Sequence, residues 1–314
     1  MPGSAGTVIS ASRRTDIPAF YMDWFFERID AGVFDVVNPV NRQTRTISSR
    51  PEDIHTIVFW SKNFAPFIDM NADLNLERMG YELYLNFTIN SDNPDLEPLI
   101  PGLDHRLIQL ERLCSTLGPD RIAWRFDPIC FYHMGDHIIR NNLDDFATIA
   151  GCAGVLGVKK CVISFVDIYQ KIKKRQQARS KQGEPFPEFI DPGDGLKTET
   201  VNQMMDTLSI HDISLFLCCE NDFYQHLSGR NVLGAPLVRE NACIDGRLFK
   251  GLSGGAPDTR RDYGQRSTHG CRCTRSVDIG SYDIHPCSHN CFFCYANPAM
   301  DTRASCSSSK GWVK

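Results

Sequence analysis

Three cysteines close together near the C-terminal end carry the strongest chemical signal in the chain. Cys287, Cys291 and Cys294 lie in the run Cys-Ser-His-Asn-Cys-Phe-Phe-Cys. A cubane 4Fe-4S cluster is normally held by four thiolates. A short loop that offers three can hold three irons and leave the fourth open to an external ligand. Thiolates also suit zinc, whose structural sites often pair short Cys-x2-Cys units. His285, His289 and Cys271 are the residues that can complete such a tetrahedron. Reduced structural thiols are the third reading.

The spacing Cys-x3-Cys-x2-Cys, with Phe293 before the last cysteine, resembles the signature of the radical S-adenosylmethionine superfamily. The extension Cys294-Tyr295-Ala296-Asn297 is most similar to the branch containing spore photoproduct lyase. In that superfamily the cysteine loop usually follows the first barrel strand, whereas here it comes after almost the whole chain. That order, the opening Ile9-Ser10-Ala11-Ser12-Arg13-Arg14-Thr15-Asp16-Ile17-Pro18 and the later Ser276-Val277-Asp278-Ile279-Gly280 resemble the uncharacterised bacterial family DUF1848, over residues of about 7 to 298. The resemblance implies an open 4Fe-4S cluster whose free iron takes the amino and carboxylate groups of S-adenosylmethionine. It further implies a small flavodoxin- or ferredoxin-like electron donor and a 5′-deoxyadenosyl radical that abstracts hydrogen from an unknown substrate.

Such a centre must be positioned by strands and helices, and the chain supplies both. Short β-branched or aromatic runs alternate with amphipathic stretches, which argues for parallel strands with crossover helices. Strands are expected near Thr7–Ser12, Phe34–Asn38, Thr56–Ser61, Glu82–Thr88, Arg121–Asp127, Lys160–Val166 and Ser214–Glu220. Seven such units suggest a TIM-like β/α barrel, complete or incomplete, with parallel strands and a C-terminal cysteine-rich cluster loop. In a ring the last strand lies beside the first, so a late loop can reach the place usually taken by the loop after strand one. Active sites of barrels gather at the C-terminal ends of the strands. Leu103, Leu107, Leu110, Cys114 and Leu117 form one helical stripe that Gly118 ends, and Tyr21, Trp24, Phe25 and Ile29 form another that Gly32 closes. Segments 91–102, 183–198 and 251–270 read as loops.

Polar residues at the strand ends extend the candidate site. Alternation puts Arg125 and Asp127 on one face of their strand and Trp124 and Phe126 on the other. Arg125 can grip a carboxylate through two parallel hydrogen bonds, and Asp127 can orient it or bind an amino group or ribose hydroxyls. A buried Arg–Asp pair is the structural alternative. Lys62, Asn63, Arg13 and Asp16 are further candidates for cofactor contact, with turn or capping roles as their alternative. Phe292, Phe293 and Tyr295 are expected to pack around cluster and adenine.

Other cysteines suggest a second metal site. Cys271 and Cys273 precede the cluster loop, Cys218 or Cys219 ends the seventh strand, and Cys243 lies between them. Four thiolates from Cys218, Cys243, Cys271 and Cys273 can enclose an auxiliary iron-sulfur cluster or zinc. Neighbouring residues of a strand point to opposite faces, so one of Cys218 and Cys219 is expected to face the site. Cys114, Cys152 and Cys161 read as buried small apolar groups.

The whole-chain properties bound the rest. With 314 residues, 42% of them hydrophobic, the chain can bury a large core. Residues 1–298 read as a single barrel domain that includes the loop at about 270–298, and 299–314 as a flexible tail. A net charge of −4 argues against a surface built throughout for nucleic acid. The run Lys171–Lys181 holds six cations and no acid. It can bind phosphate, but it lacks aromatic platforms and reads first as a solvated helix face. A nucleic-acid repair or modification enzyme and a non-catalytic redox module therefore stand as alternatives to the radical enzyme. No run of about twenty apolar residues suggests a membrane span, so a cytoplasmic protein with reduced thiols is expected.

Overall fold

Alternation along Ile122–Ile129 decides which side of the sheet carries chemistry. Trp124 and Phe126 are fully buried in the larger apolar core, where Trp124 stacks on Phe146 at 5.3 Å between ring centres. Arg125, between them, turns to the opposite face and lies over the Trp60 ring at 5.4 Å.

This arrangement is seen in a computed structural model that describes residues 6–39, 41–181, 183, 186–228, 238–264, 266 and 269–296. The expected tail 299–314, with Cys306, and Asn297 of the motif lie outside the described residues. In chain order the strands are β1 (Thr7–Ala11), β2 (Val33–Val37), β3 (Thr44–Ser48), β4 (Ile54–Ser61), β5 (Leu83–Thr88), β6 (Ile122–Ile129), β7 (Phe131–His133), β8 (Arg140–Asn141), β9 (Lys160–Phe165), β10 (Glu188–Ile190), β11 (Ser214–Leu217), β12 (Arg239–Glu240) and β13 (Val277–Asp278). The helices are α1 (Ile17–Phe20), α2 (Met22–Asp30), α3 (Ala65–Asp69), α4 (Ala72–Arg78), α5 (Leu103–Leu117), α6 (Phe146–Val155), α7 (Gln170–Lys181), α8 (Gly193–Ile210), α9 (Asn221–Ser228) and α10 (Gly246–Ser253).

Eight strands form one sheet in the order β12-β11-β9-β6-β5-β4-β1-β13, and every neighbouring pair is parallel. Of the complete or incomplete barrel expected, the large parallel sheet is present and the closure is not: β12 and β13 are opposite edges, and no sheet closes among the described residues. Each of these edges is two residues long, too short to supply a ladder to the other. The last strand does lie beside the first, with Ile9 opposite Val277 and Ser10 opposite Asp278.

A second correction concerns Phe34–Asn38. The observed strand β2 pairs antiparallel with β3 in a separate hairpin. Only a few residues join the two, whereas a parallel crossover needs a dozen or more. The segment 183–198 also holds more order than expected, since β10 and the start of α8 fall within it.

Two cores follow from the period of two along the strands. Ile9, Phe59, Leu85, Trp124 and Ile163 face the helices, while Val8, Val58, Tyr84, Ala123 and Val162 face Phe249 of α10 and a group of cysteines. Helix α5 buries Leu103, Leu110, Leu113, Cys114 and Leu117 and ends at Gly118, whose φ of 84° is a conformation that favours glycine. Its stripe also includes Arg106 and Gln109, which are buried because Arg106 reaches the Asn90 carbonyl at 2.9 Å and Gln109 accepts from the Phe64 N–H at 2.7 Å. No helix among the described residues is long and apolar enough to cross a membrane.

Candidate functional site

The cysteine loop is anchored to β1 through the residues that precede it. Asp278 of β13 accepts from Ser10 Oγ (2.9 Å), Ser12 Oγ (2.6 Å) and the Arg13 N–H (2.8 Å). Gly280 follows because a Cβ there would stand 2.1 Å from Ser12 Oγ. From this joint the chain runs to Cys287, Cys291 and Cys294 beside the C-terminal ends of β1, β4 and β6, the end at which open α/β sheets take their ligands.

Charged residues from those strand ends meet the loop. Asp16 is the hub: it caps α1 by accepting from the Ala19 N–H at 3.0 Å, and it accepts from Ser61 Oγ and the Lys62 N–H, both at 2.9 Å. The His289 ring, between the first two cysteines, bonds to the same carboxylate at 2.7 Å. Lys62 forms a buried ion pair with Glu97 at 2.6 Å, and Cys291 Sγ donates to Glu97 at 3.6 Å. The Lys62 ammonium also lies 5.3 Å from the centre of the Phe293 ring. Burial opposes the Lys62 charge, but Glu97 outweighs it and raises the ammonium pKa. Burial pushes the Cys287 thiol up to about 12 and moves Cys291 in the same direction, reinforced by Glu97. Both thiols are therefore held protonated until a cation compensates them.

Helix α7 holds the far side of the loop. Arg175 donates to the Cys294 carbonyl, Lys171 to the Tyr295 carbonyl at 3.4 Å, and the Arg179 guanidinium covers Phe292 at 4.8 Å. Three of the six cations in the basic run are thus committed to the cysteine loop, while Lys173 and Lys174 are exposed. Phe292 stacks on Phe186, and the Tyr295 hydroxyl donates to the Arg13 carbonyl at 3.1 Å.

A second group of sulfurs lies on the inner face of the sheet. Cys218 Sγ is 3.3 Å from Cys243 Sγ and 3.9 Å from Cys219 Sγ. Cys243 neighbours Cys273, and Cys271 neighbours both Cys219 and Cys273, which lower its pKa well below the usual thiol range. The five sulfurs therefore form an unbroken ring. Arg125 Nη1 and Asn241 Nδ2 each donate to Cys243 Sγ at 2.9 Å, and the charge of Arg13 lies near Cys273.

These contacts sort the candidates. Arg13, Lys62, Arg125, Asp127, Phe293 and Tyr295 all reach one of the two sulfur groups or a residue that does. Asn63 does not: its side-chain oxygen accepts from Gln109 and from the Ala65 N–H, a capping role at α3. Arg125 has its fork engaged by Cys243 and the Asp127 carboxylate, so it ties the strand to the second sulfur group. Asp127 in turn accepts from Ser164. Of the residues named for a zinc alternative, Cys271 lies with the second sulfur group, His285 packs against Tyr21 and Trp24, and His289 bonds to Asp16 through Nε2. Among the described residues no three His, Cys, Asp or Glu side chains stand as a finished ligand set.

Sequence patterns missed Glu97 and offered Cys219 only as an alternative to Cys218. Glu97 lies in an irregular segment without periodicity, and only its tertiary contacts single it out. Strand β11 ends at Leu217, before the two cysteines, and Cys219 has a φ of 61°. That left-handed turn, which costs a non-glycine residue roughly 1 kcal/mol, brings both adjacent sulfurs to the same side and corrects the expectation that one alone can face the site.

Fold and site together define a mixed α/β protein with a large parallel sheet and two groups of cysteines at its inner face and strand ends. The chain belongs to the DUF1848 family, described as a domain of unknown function, which matches residues 8–296. A search of curated proteins finds no match. Two solved structures show weak similarity. A D-hydantoinase has 11% identity and a TM-score of 0.30, covering 59% of this chain and 38% of its own. The D-hydantoinase of Bacillus sp. AR9 has 11% identity and a TM-score of 0.29, covering 56% of this chain and 37% of its own. The chain thus spans well under half the length of either.

Proposed function

We propose that this protein is a radical S-adenosylmethionine-type enzyme whose open-site 4Fe-4S cluster is held by Cys287, Cys291 and Cys294. The observation that carries the reading is the pairing of β13 with β1, which brings a late three-cysteine loop to the strand ends where the family resemblance expects it. The residues present fit such a group. Arg175 Nε and Nη1, His289 Nδ1, Arg13 Nη2 and Trp60 Nε1 are buried polar atoms without a protein partner around the loop and its neighbouring strand ends. When bound, the cluster supplies one-electron reduction of S-adenosylmethionine.

The chain's own residues do the positioning. Asp16 fixes His289 and with it the turn between Cys287 and Cys291. Glu97 accepts from the Cys291 thiol, and Lys62 balances the charge left when that thiol ionises. Arg175 holds the last cysteine by its carbonyl. Phe292 and Phe293 exclude water from the loop, a requirement of radical chemistry. The open sheet is read as an incomplete barrel. A cytoplasmic location and a small flavodoxin- or ferredoxin-like donor follow from the same reading.

Reconstitution with iron and sulfide without oxygen, then reduction and addition of S-adenosylmethionine, tests the proposal. 5′-Deoxyadenosine is expected from the native chain and not from Cys287→Ala, Cys291→Ala or Cys294→Ala. A cluster that reduces normally and yields none refutes catalysis and leaves a redox or metal-binding module, the second reading, which the five-sulfur ring favours. Helix α7 gives the nucleic-acid reading three exposed cations, Lys173, Lys174 and Lys181, and three already engaged.

A further inference from the structure

We propose that four of the five thiols Cys218, Cys219, Cys243, Cys271 and Cys273 bind a thiophilic metal, as one zinc ion or one iron-sulfur cluster, and that this centre bridges the two edges of the open sheet. The site is independent of the Cys287 loop.

The placement of the sulfurs is the first observation. Cys218 and Cys219 follow β11, Cys243 follows the edge strand β12, and Cys271 and Cys273 precede the opposite edge strand β13. No strand pairing joins those edges, yet the backbone brings the segments into register: the Thr274 N–H donates to the Ile244 carbonyl at 2.9 Å and the Gly246 N–H to Thr274 Oγ1 at 2.9 Å. Arg272 and Glu240 form an ion pair across the same gap at 2.6 Å. The sulfur ring lies where a closed barrel would have its missing seam.

Distance and charge agree with a metal. Two thiolates about 2.3 Å from a tetrahedral zinc stand about 3.8 Å apart, close to the 3.3 and 3.9 Å measured here. The irons of a cubane would spread the same sulfurs further. Cys218, Cys243, Cys271 and Cys273 are each less than 9% exposed, so four thiolates could not stand here without a cation. Four thiolates around a divalent ion leave a net charge of −2, as they do around an oxidised cubane. Two guanidiniums already stand at ring sulfurs: Arg125 donates to Cys243 Sγ at 2.9 Å, and Arg13 lies near Cys273. That pairing is the expected second shell of a dianionic centre. Loading with zinc, or with a cluster delivered already built, is a proton exchange without redox change: each binding thiol that is still protonated releases its proton to solvent as the metal enters.

The test uses the full chain carrying Cys287→Ala, Cys291→Ala and Cys294→Ala together, purified without oxygen. Metal and sulfide analysis is expected to find about one zinc or about four irons and four sulfides per chain. Titratable thiols should fall accordingly, and prolonged chelation should lower the melting midpoint. Zinc without sulfide identifies the single ion, and iron with sulfide identifies the cluster. Adding Cys243→Ser and Cys273→Ser should abolish metal binding. A folded triple variant free of metal after both zinc supply and iron-sulfide reconstitution overturns the proposal, as does metal that survives Cys243→Ser and Cys273→Ser. Since the three loop cysteines are absent throughout, this result stands or falls apart from the 5′-deoxyadenosine assay.

Discussion

Replacing Lys62 with methionine should reveal how tightly the cysteine loop is held by charge. Lys62 and Glu97 are 17% and 4% exposed as side chains and 2.6 Å apart. Removing the ammonium strands a buried carboxylate, a change that costs roughly 3–5 kcal/mol. Asn90 Nδ2 still donates to Glu97 at 3.0 Å and relieves part of it. A loss of about 3 kcal/mol is expected, which for a chain of this size lowers the melting midpoint by roughly 4–5 °C. Glu97→Gln alone leaves an unpaired ammonium and is also destabilising. The double variant has neither charge and should recover much of the loss, with a coupling of about 2 kcal/mol. Denaturant unfolding of the four proteins, followed by circular dichroism, measures each value. If Lys62→Met lies within about 0.5 kcal/mol of the native protein, or the two losses simply add, Lys62 does not hold the loop through Glu97.

Gly280→Ala should destabilise the protein by about 1–3 kcal/mol, because the new methyl overlaps Ser12 at the β1–β13 joint; unchanged unfolding would place no close contact there. Glu82 gives a pH test. Burial pushes its carboxyl up, but Ser253, donating at 2.7 Å, and Arg121 outweigh this and hold it below the usual carboxylate range. A depressed folded pKa adds stability above the ordinary Glu value of about 4.3 and loses it as pH falls through the folded value. The side chain is 40% exposed, so the gain is under about 1 kcal/mol after screening. The gap in unfolding midpoint between native protein and Glu82→Gln should be present at neutral pH and vanish in acid; a gap indifferent to pH contradicts the linkage. Cys161→Ala, a buried thiol outside both sulfur groups, should leave metal content unchanged while costing about 1 kcal/mol in unfolding.

Local pattern made much of the frame legible. Period-two alternation put Trp124 and Phe126 opposite Arg125, and Gly118 marked the end of α5, because both signals depend on neighbours in the chain. Strands β12 and β13 left no trace, since two residues cannot display a period. The hairpin of β2 was read as a barrel strand because its residues suit either pairing, and only the short return to β3 decides. Cys219 turned on a single backbone angle, and Glu97 on partners 35 residues before it and 194 after it. The metal motif could be read as a set of residues, but the carboxylates and cations that surround it come from distant strand ends.

Ser10 and Asp278 are separated by 268 positions, and this has a consequence for biosynthesis. While the nascent chain emerges, the hydroxyls of Ser10 and Ser12 wait for an acceptor that follows 268 and 266 positions later. Domains tend to organise from the N-terminus as they are made, and contacts this remote are slow to form. An inorganic cofactor on the late cysteines accordingly meets a frame already made, in which β1 holds β4 on one side early and gains β13 on the other side late.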